Sequence, residues 1–296
     1  MSHLFTLVPL LLITMVSIQS GAAFAKQLFP AVGVISAAFL RLFFAALTLL
    51  LLFRPWKKRL TLANLPMVAL YGLSLGSMNM LCYLAMQRLP LGIAVAIEFI
   101  GPLAVAISSL RKKIDLLWIL LALLGLLFLL PIKTDQESLD PIGILYALAS
   151  ALFWALYIIF GKRARTSIST SQLVPLGVTI ASLIIFPFFL LTGEKENLVI
   201  PSNLLSGAAI GVCSSALPCF LETFVMKSLS LTTFGILMSL EPVVAALFGL
   251  FLLDEQLSLF QWAAIGSIIF ASIGTSLRIP KKQEKIDLEA HESAKN

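Results

Sequence analysis

Long apolar runs alternate with short polar segments along almost the whole chain. A helix of about 20 residues spans a bilayer core of roughly 30 Å. Ten runs approach that length, namely residues 4–25, 33–53, 65–86, 91–110, 115–132, 142–160, 172–191, 204–224, 232–252 and 259–277. The pattern predicts an all-α membrane protein with ten transmembrane helices.

Two of these runs share an unusual design. The fourth carries Glu98 and Pro102, and the ninth carries Glu241 and Pro242. At an offset of 140 residues the two prolines align, and nearby apolar residues match as well: Met86 with Met226, Leu89 with Leu229, Leu91 with Leu231 and Ala106 with Ala246. Matched helices with a buried acid and a break near mid-membrane are typical of transporters built from two repeats.

The basic residues predict how the chain crosses the membrane. With the N-terminus inside, the inner loops and tail collect sixteen Lys and Arg residues, and the outer loops collect four, Lys26, Arg88, Lys133 and Lys195. This bias places both termini in the cytoplasm. Each half, residues 1–134 and 135–278, has an odd number of spans, so the two five-helix repeats are inverted. The polar tail, residues 279–296, is predicted to be a disordered cytoplasmic segment.

Composition excludes several classes of protein. Hydrophobic residues make up 59% of the chain and charged residues 12%, which is more apolar surface than a soluble domain of this size can bury. The net charge of +6 lies in loops, where it indicates topology and not nucleic-acid binding. The only histidines, His3 and His291, lie in the tails, and the cysteines lie in apolar runs, so no metal site is expected.

The first run has an alternative interpretation. Ala23-Phe24-Ala25 before Lys26 resembles a signal-peptidase site. The run is not preceded by Lys or Arg, and its removal would spoil the symmetry of the two halves, so we expect it to be retained as a span.

Four ionisable residues fall inside the predicted spans, where a charge costs roughly 2.5–3.5 kcal/mol on insertion scales. They are Arg41, Glu98, Glu222 and Glu241. Arg41 could anchor a substrate carboxylate or form a structural ion pair. Glu98 could carry a proton or be a neutral packing residue, and Glu222 could extend to the interface.

Three prolines, Pro102, Pro218 and Pro242, are candidate hinges, because each leaves a carbonyl one turn earlier without its helical partner. Polar and aromatic side chains on other spans could complete a pathway for substrate and protons: Gln19, Asn79, Tyr83, Trp154 and Tyr157. Each of these alone could equally be a packing residue.

The chain has no phosphate-binding loop and no Ser-His-Asp arrangement, so we expect neither an enzyme nor an ATP-driven pump. Transport would be secondary, without a cofactor. A proton gradient is the natural energy source, because a carboxyl removed from water favours its neutral form.

Several blocks resemble the drug/metabolite transporter superfamily of EamA type, most closely its bacterial inner-membrane threonine/homoserine exporters. The resemblance covers nearly all of residues 10–277, and its clearest blocks lie at Ser17–Pro30, Leu40–Trp56, Tyr71–Ala106, Ser214–Glu222 and Thr233–Leu247. It implies ten helices in two inverted repeats around a cavity lined by spans three, four, eight and nine. It also implies export of small amino acids by exchange with protons.

The resemblance places the protein in a bacterial cytoplasmic membrane, as a monomer or homodimer whose partners are the lipid bilayer and a small amino acid. Two alternatives remain open at this point. One is an importer or exchanger of another small metabolite, and the other is a membrane scaffold that transports nothing. The paired Glu and Pro residues argue against the scaffold, which has no need of buried charge.

Overall fold

The computed structural model describes residues 2–57, 60–108, 120–121, 124, 139–192, 197, 200–219, 221 and 240–276. The regular elements in these ranges are helices: α1 Ser2–Val32, α2 Val34–Phe53, α3 Leu65–Arg88, α4 Leu91–Glu98, α5 Ile100–Ser108, α6 Pro141–Ala164, α7 Thr170–Leu191, α8 Pro201–Gly211, α9 Glu241–Leu253 and α10 Leu259–Ser276. Short 3₁₀ turns occupy Pro55–Lys57 and Leu62–Asn64, and α8 continues as a π-helical segment, Val212–Ala216.

The prediction of an all-α membrane protein is confirmed. Within the described residues, four helices are long and apolar enough to cross a bilayer, with shorter apolar helices beside them. The count of ten spans and the inverted repeat stay predictions, because most of the fifth predicted span and the start of the ninth lie outside the described residues. Helices α4 and α5 are the two parts of the fourth predicted span.

The three candidate hinge prolines lie near a helix break, a π-helical segment and the start of a helix. Helix α4 ends at Glu98 and α5 begins at Ile100, so the break lies one turn before Pro102. Pro242 lies in the first turn of α9, where a missing N–H is tolerated. The wide π segment immediately precedes Pro218.

Helix α1 is longer than predicted and meets α2 almost directly. It extends to Val32, seven residues past the predicted end at 25, so Lys26 lies within it. Only Gly33 separates the two helices, with a φ of 78° that favours glycine. The turn therefore depends on this glycine.

Close helix contacts join the two predicted halves. Helix α3 packs along α6 and α7, and α4 packs on α9. A Cβ on Gly76 would lie 2.9 Å from backbone atoms of Ala181, and one on Gly92 would lie 2.6 Å from the Cα of Ala246. Gly72 and Gly76, which form a GxxxG pair, both face α7 and allow this close approach.

Polar contacts gather at two opposite ends of the bundle. At one end, the C-terminal part of α1, the link between α3 and α4, and the loop after α9 meet through Lys26 and Glu255. At the other, Asn64 before α3 contacts the Ser167 carbonyl after α6. We call these the Lys26 end and the Asn64 end.

Candidate transport site

Glu98 lies at the end of α4, where helices α3, α4 and α6 meet. It is 7% exposed. The Cys82 thiol of α3 donates to Oε2 at 3.0 Å, and the Ser150 hydroxyl of α6 lies 2.5 Å from Oε1. The same hydroxyl is 2.9 Å from the carbonyl oxygen of Met78. Three helices therefore hold the carboxyl in a fixed position.

Trp154 flanks the break that follows Glu98. Its ring meets Phe99 edge-on with centroids 6.0 Å apart. Asn79 lies on α3, three and four residues before Cys82 and Tyr83, and is 7% exposed. Its amide Nδ2 donates to the Leu75 carbonyl of its own helix at 2.9 Å. Trp154 thus adjoins the break after Glu98, and Asn79 is buried on the helix that supplies Cys82.

Arg41 connects α2 to the π segment and to α3. Its Nε donates to Ser215 Oγ at 2.7 Å, Nη2 donates to the Ser214 carbonyl at 3.3 Å, and Nη1 donates to Tyr83 Oη at 3.3 Å. Its guanidinium carbon lies 5.5 Å from the centre of the Tyr83 ring. Pro218 has no N–H for the Ser214 carbonyl, so the arginine donates to an oxygen that the proline leaves available.

Glu241 at the start of α9 pairs with Gln19 of α1. Gln19 Nε2 donates to Glu241 Oε1 at 2.9 Å, and both side chains are buried. Arg41, Glu98 and Glu241 all lie within electrostatic range of the Cys82 thiol. One positive and two acidic groups, from α2, α4 and α9, therefore lie within electrostatic range of one thiol of α3.

One predicted residue that the structure describes, Tyr157, lies elsewhere. The Tyr157 hydroxyl is 3.2 Å from that of Tyr71, and the pair belongs to a separate apolar cluster towards the Asn64 end. Glu222 lies outside the described residues. The structure thus brings together Arg41, Asn79, Tyr83, Glu98, Glu241 and Trp154, and separates Tyr157 from them.

Cys82 and Ser150 were missed as partners of Glu98. A cysteine in an apolar run is usually a small hydrophobic residue. A serine in a membrane helix commonly bonds the carbonyl one turn earlier, as Ser74 does to Leu70 at 2.8 Å. No local signal distinguishes Ser150 from such a residue.

The Lys26 end is closed by two sets of ionic contacts. Lys26 Nζ lies 2.5 Å from Glu255 Oε1 and donates to the Leu89 carbonyl at 2.6 Å. The backbone N–H of Leu91 donates to Glu255 Oε2 at 2.6 Å. Nearby, Arg88 binds Asp140 at 2.5 Å and holds the pKa of that exposed carboxyl below its usual value.

A cavity of about 600 Å³ opens at this end, where α1 and α2 join near the ends of α3 and α7. Lys26, Phe29, Ser36 and Gln87 are among its lining residues. The Phe29 ring also packs on Tyr83, with centroids 5.4 Å apart. We call this cavity the vestibule. The rings of Phe29 and Tyr83 lie between it and Arg41.

Comparison with known proteins identifies the family of this chain. Residues 141–277 match the model of the EamA-like transporter family. The threonine/homoserine exporter RhtA of Escherichia coli (strain K12) is 43% identical over 280 residues, which cover 95% of this chain and 94% of that protein. The chain belongs to the EamA-like transporter family.

Other proteins are similar to this chain over most of its length. RhtA of Salmonella typhimurium (strain LT2) is 44% identical over 274 residues, 93% of this chain and 92% of that protein. An uncharacterized transporter of Archaeoglobus fulgidus is 30% identical over 81% of this chain and 85% of its own length. A protein of known crystal structure superposes with a TM-score of 0.63, covering 91% of this chain and 97% of the other at 17% identity. That likeness concerns the fold alone.

Proposed function

We propose that this EamA-like transporter exports small amino acids of the threonine and homoserine type across a bacterial cytoplasmic membrane, in exchange for protons. The observation that carries the proposal is the convergence of Arg41, Glu98 and Glu241 inside a membrane bundle. The similarity to RhtA over nearly the whole chain supports the choice of substrate.

Arg41 is suited to the substrate carboxylate. Among the described residues, the groups to which it donates are neutral: a hydroxyl, a phenol and a carbonyl. A guanidinium in a membrane with only neutral partners retains much of its attraction for an anion, and its planar fork matches a carboxylate. We propose that the substrate carboxylate displaces some of these weaker bonds.

Glu98 is suited to carry the exchanged proton. It is buried, its carboxyl contacts two neutral donors, and it lies at a helix break where the two parts of the span can move relative to each other. Exchange requires a group that holds a proton on one side and releases it on the other. The Lys26 end, which the charge bias places outside, would open and close during this cycle.

Counterflow in proteoliposomes tests the proposal. Vesicles loaded with unlabelled homoserine should take up labelled homoserine and threonine. Arg41→Lys keeps the charge but loses the planar fork, so we expect uptake to fall by about tenfold or more. If the parent protein takes up neither amino acid, the proposed substrate is wrong. If Arg41→Lys takes up as much as the parent, Arg41 is not part of the binding site.

A further inference from the structure

Gln19 has a buried carbonyl oxygen with no hydrogen-bond partner in the described part of the chain. The residue is 2% exposed, and its Nε2 donates to Glu241, yet its Oε1 has no donor among those residues. A buried acceptor without a donor loses its bonds to water and gains none in return, which destabilises the protein. Such an atom indicates a ligand that supplies the missing N–H or O–H.

The orientation of the Gln19 amide follows from its neighbour. An ionised carboxylate only accepts hydrogen bonds, so the NH₂ group of Gln19 is the end that faces Glu241. The carbonyl oxygen of the Gln19 amide is therefore directed away from Glu241. Together the two side chains present an amide oxygen and a carboxylate, which are both acceptors.

The pair lies beside the residues that hold Arg41. Ser17, half a turn before Gln19, donates to the Cys213 carbonyl at 2.6 Å. A Cβ on Gly21 would collide with Ser214, so α1 packs directly on the π segment. Arg41 binds this same segment from the side of α2. Gln19 lies half a turn from Ser17 and Gly21, on the other face of α1, and its link to Arg41 is through Cys82, which is within electrostatic range of both Arg41 and Glu241.

We propose that Gln19 and Glu241 bind the primary ammonium group of the transported amino acid. The assignment rests on the proposed function. It adds a subsite for the ammonium group of the substrate to the subsite for its carboxylate at Arg41. An ammonium group has three N–H donors and one positive charge, so it can satisfy both the amide oxygen and the carboxylate. Gln19 then selects substrates with a free amino group.

The experiment compares two competitors in the same counterflow assay, in sodium-free potassium buffer. Homoserine and 4-hydroxybutyrate share a carboxylate and a terminal hydroxyl, but only homoserine carries an amino group. For the parent protein we expect 4-hydroxybutyrate to compete at least about tenfold more weakly. In Gln19→Met, which keeps the side-chain length, competition by homoserine should weaken by about tenfold, while competition by 4-hydroxybutyrate should stay unchanged.

Gln27→Met is the matched control. Gln27 lies on the same helix but donates to the Leu252 carbonyl at the Lys26 end. This variant should keep the parent ratio between the two competitors. Thermal unfolding in detergent checks that each variant is folded.

The outcomes separate the two claims. If the parent exchanges homoserine but 4-hydroxybutyrate competes equally well, the ammonium subsite is wrong and the proposed function stands. The same holds if exchange requires sodium, since the acceptors would then serve that ion. If the parent exchanges neither threonine nor homoserine, both claims fail. If Gln19→Met does not fold, the ammonium subsite is tested by two other measurements. These are the ratio of competition by homoserine and by 4-hydroxybutyrate in the parent protein, and the same ratio in Gln19→Asn.

Discussion

The Ser150 hydroxyl lies between two acceptors, 2.5 Å from Oε1 of Glu98 and 2.9 Å from the Met78 carbonyl. A hydroxyl has one hydrogen, so it can donate to only one of them at a time. With Glu98 ionised, it donates to the carboxylate. With Glu98 protonated, the carboxyl donates to Ser150 and the serine donates to Met78. The protonation of Glu98 therefore determines whether Ser150 donates to the Met78 carbonyl of helix α3.

Ser150→Ala should shift the pH dependence of exchange. The variant loses a donor to the charged form of Glu98, so the proton is held more tightly and the half-maximal pH should rise, by up to about one unit. Ser150→Thr restores the hydroxyl and should restore the profile. Ser74→Ala is the control, because that buried serine bonds only within its own helix. An unchanged profile in Ser150→Ala would contradict the proposed link.

The positions of the helix breaks could be predicted because proline acts locally. A missing N–H disrupts the bond one turn earlier, whatever the surroundings. This reasoning marked Pro102 and Pro218 as points of irregularity, but it did not predict that the irregularity before Pro218 would be a π-helical segment. The end of α1 could not be located in the same way, because Lys26 looked like a loop residue and its partner Glu255 lies 229 residues away.

The candidate site could be predicted only in part, for a similar reason. An ionisable residue in an apolar run is unusual by itself, so Arg41, Glu98 and Glu241 were identified directly. Their partners are ordinary membrane-helix residues that become polar contacts only after packing. Cys82 and Gln19 show this, since their roles depend on α4 and α9.

The two hinge prolines can be tested with a matched third proline. Pro102→Ala or Pro242→Ala should add an N–H that can bond the carbonyl one turn earlier, favour a continuous helix across the hinge and slow exchange severalfold with the fold retained. Pro187→Ala makes the same change inside α7, on an exposed face, and should leave the rate unchanged. Rates of labelled counterflow measure the effect. Parent rates in both hinge variants would show that the breaks are structural only.

Loosening the Lys26 end should expose the vestibule. Glu255→Gln keeps the side-chain size but loses the ionic bond to Lys26. In a background without native cysteines, a cysteine replacing Ser36, which lines the cavity, should then react severalfold faster with an impermeant thiol reagent. Asp254→Asn, at the exposed neighbouring position, is the control. Equal reaction rates in all three proteins would mean that this ion pair does not close the vestibule.

Topology can be tested in intact cells. Leu139 adjoins Asp140 near the Lys26 end, and Ser167 lies at the Asn64 end. A cysteine replacing Leu139 should react with an impermeant reagent from outside, and one replacing Ser167 should react only after the membrane is permeabilised. The reverse pattern would invert the orientation that the charge bias predicts.

The central claim, exchange of an amino acid for protons through Glu98, is tested most directly by an imposed pH gradient. Proteoliposomes with an acidic lumen, and with the membrane potential held at zero, should accumulate labelled homoserine above its external concentration. Glu98→Gln removes titration with little change in size. We predict that it still exchanges homoserine for homoserine but no longer accumulates it. If Glu98→Gln accumulates as much homoserine as the parent, with the same dependence on the gradient, the account is contradicted and another carboxyl must carry the exchanged proton.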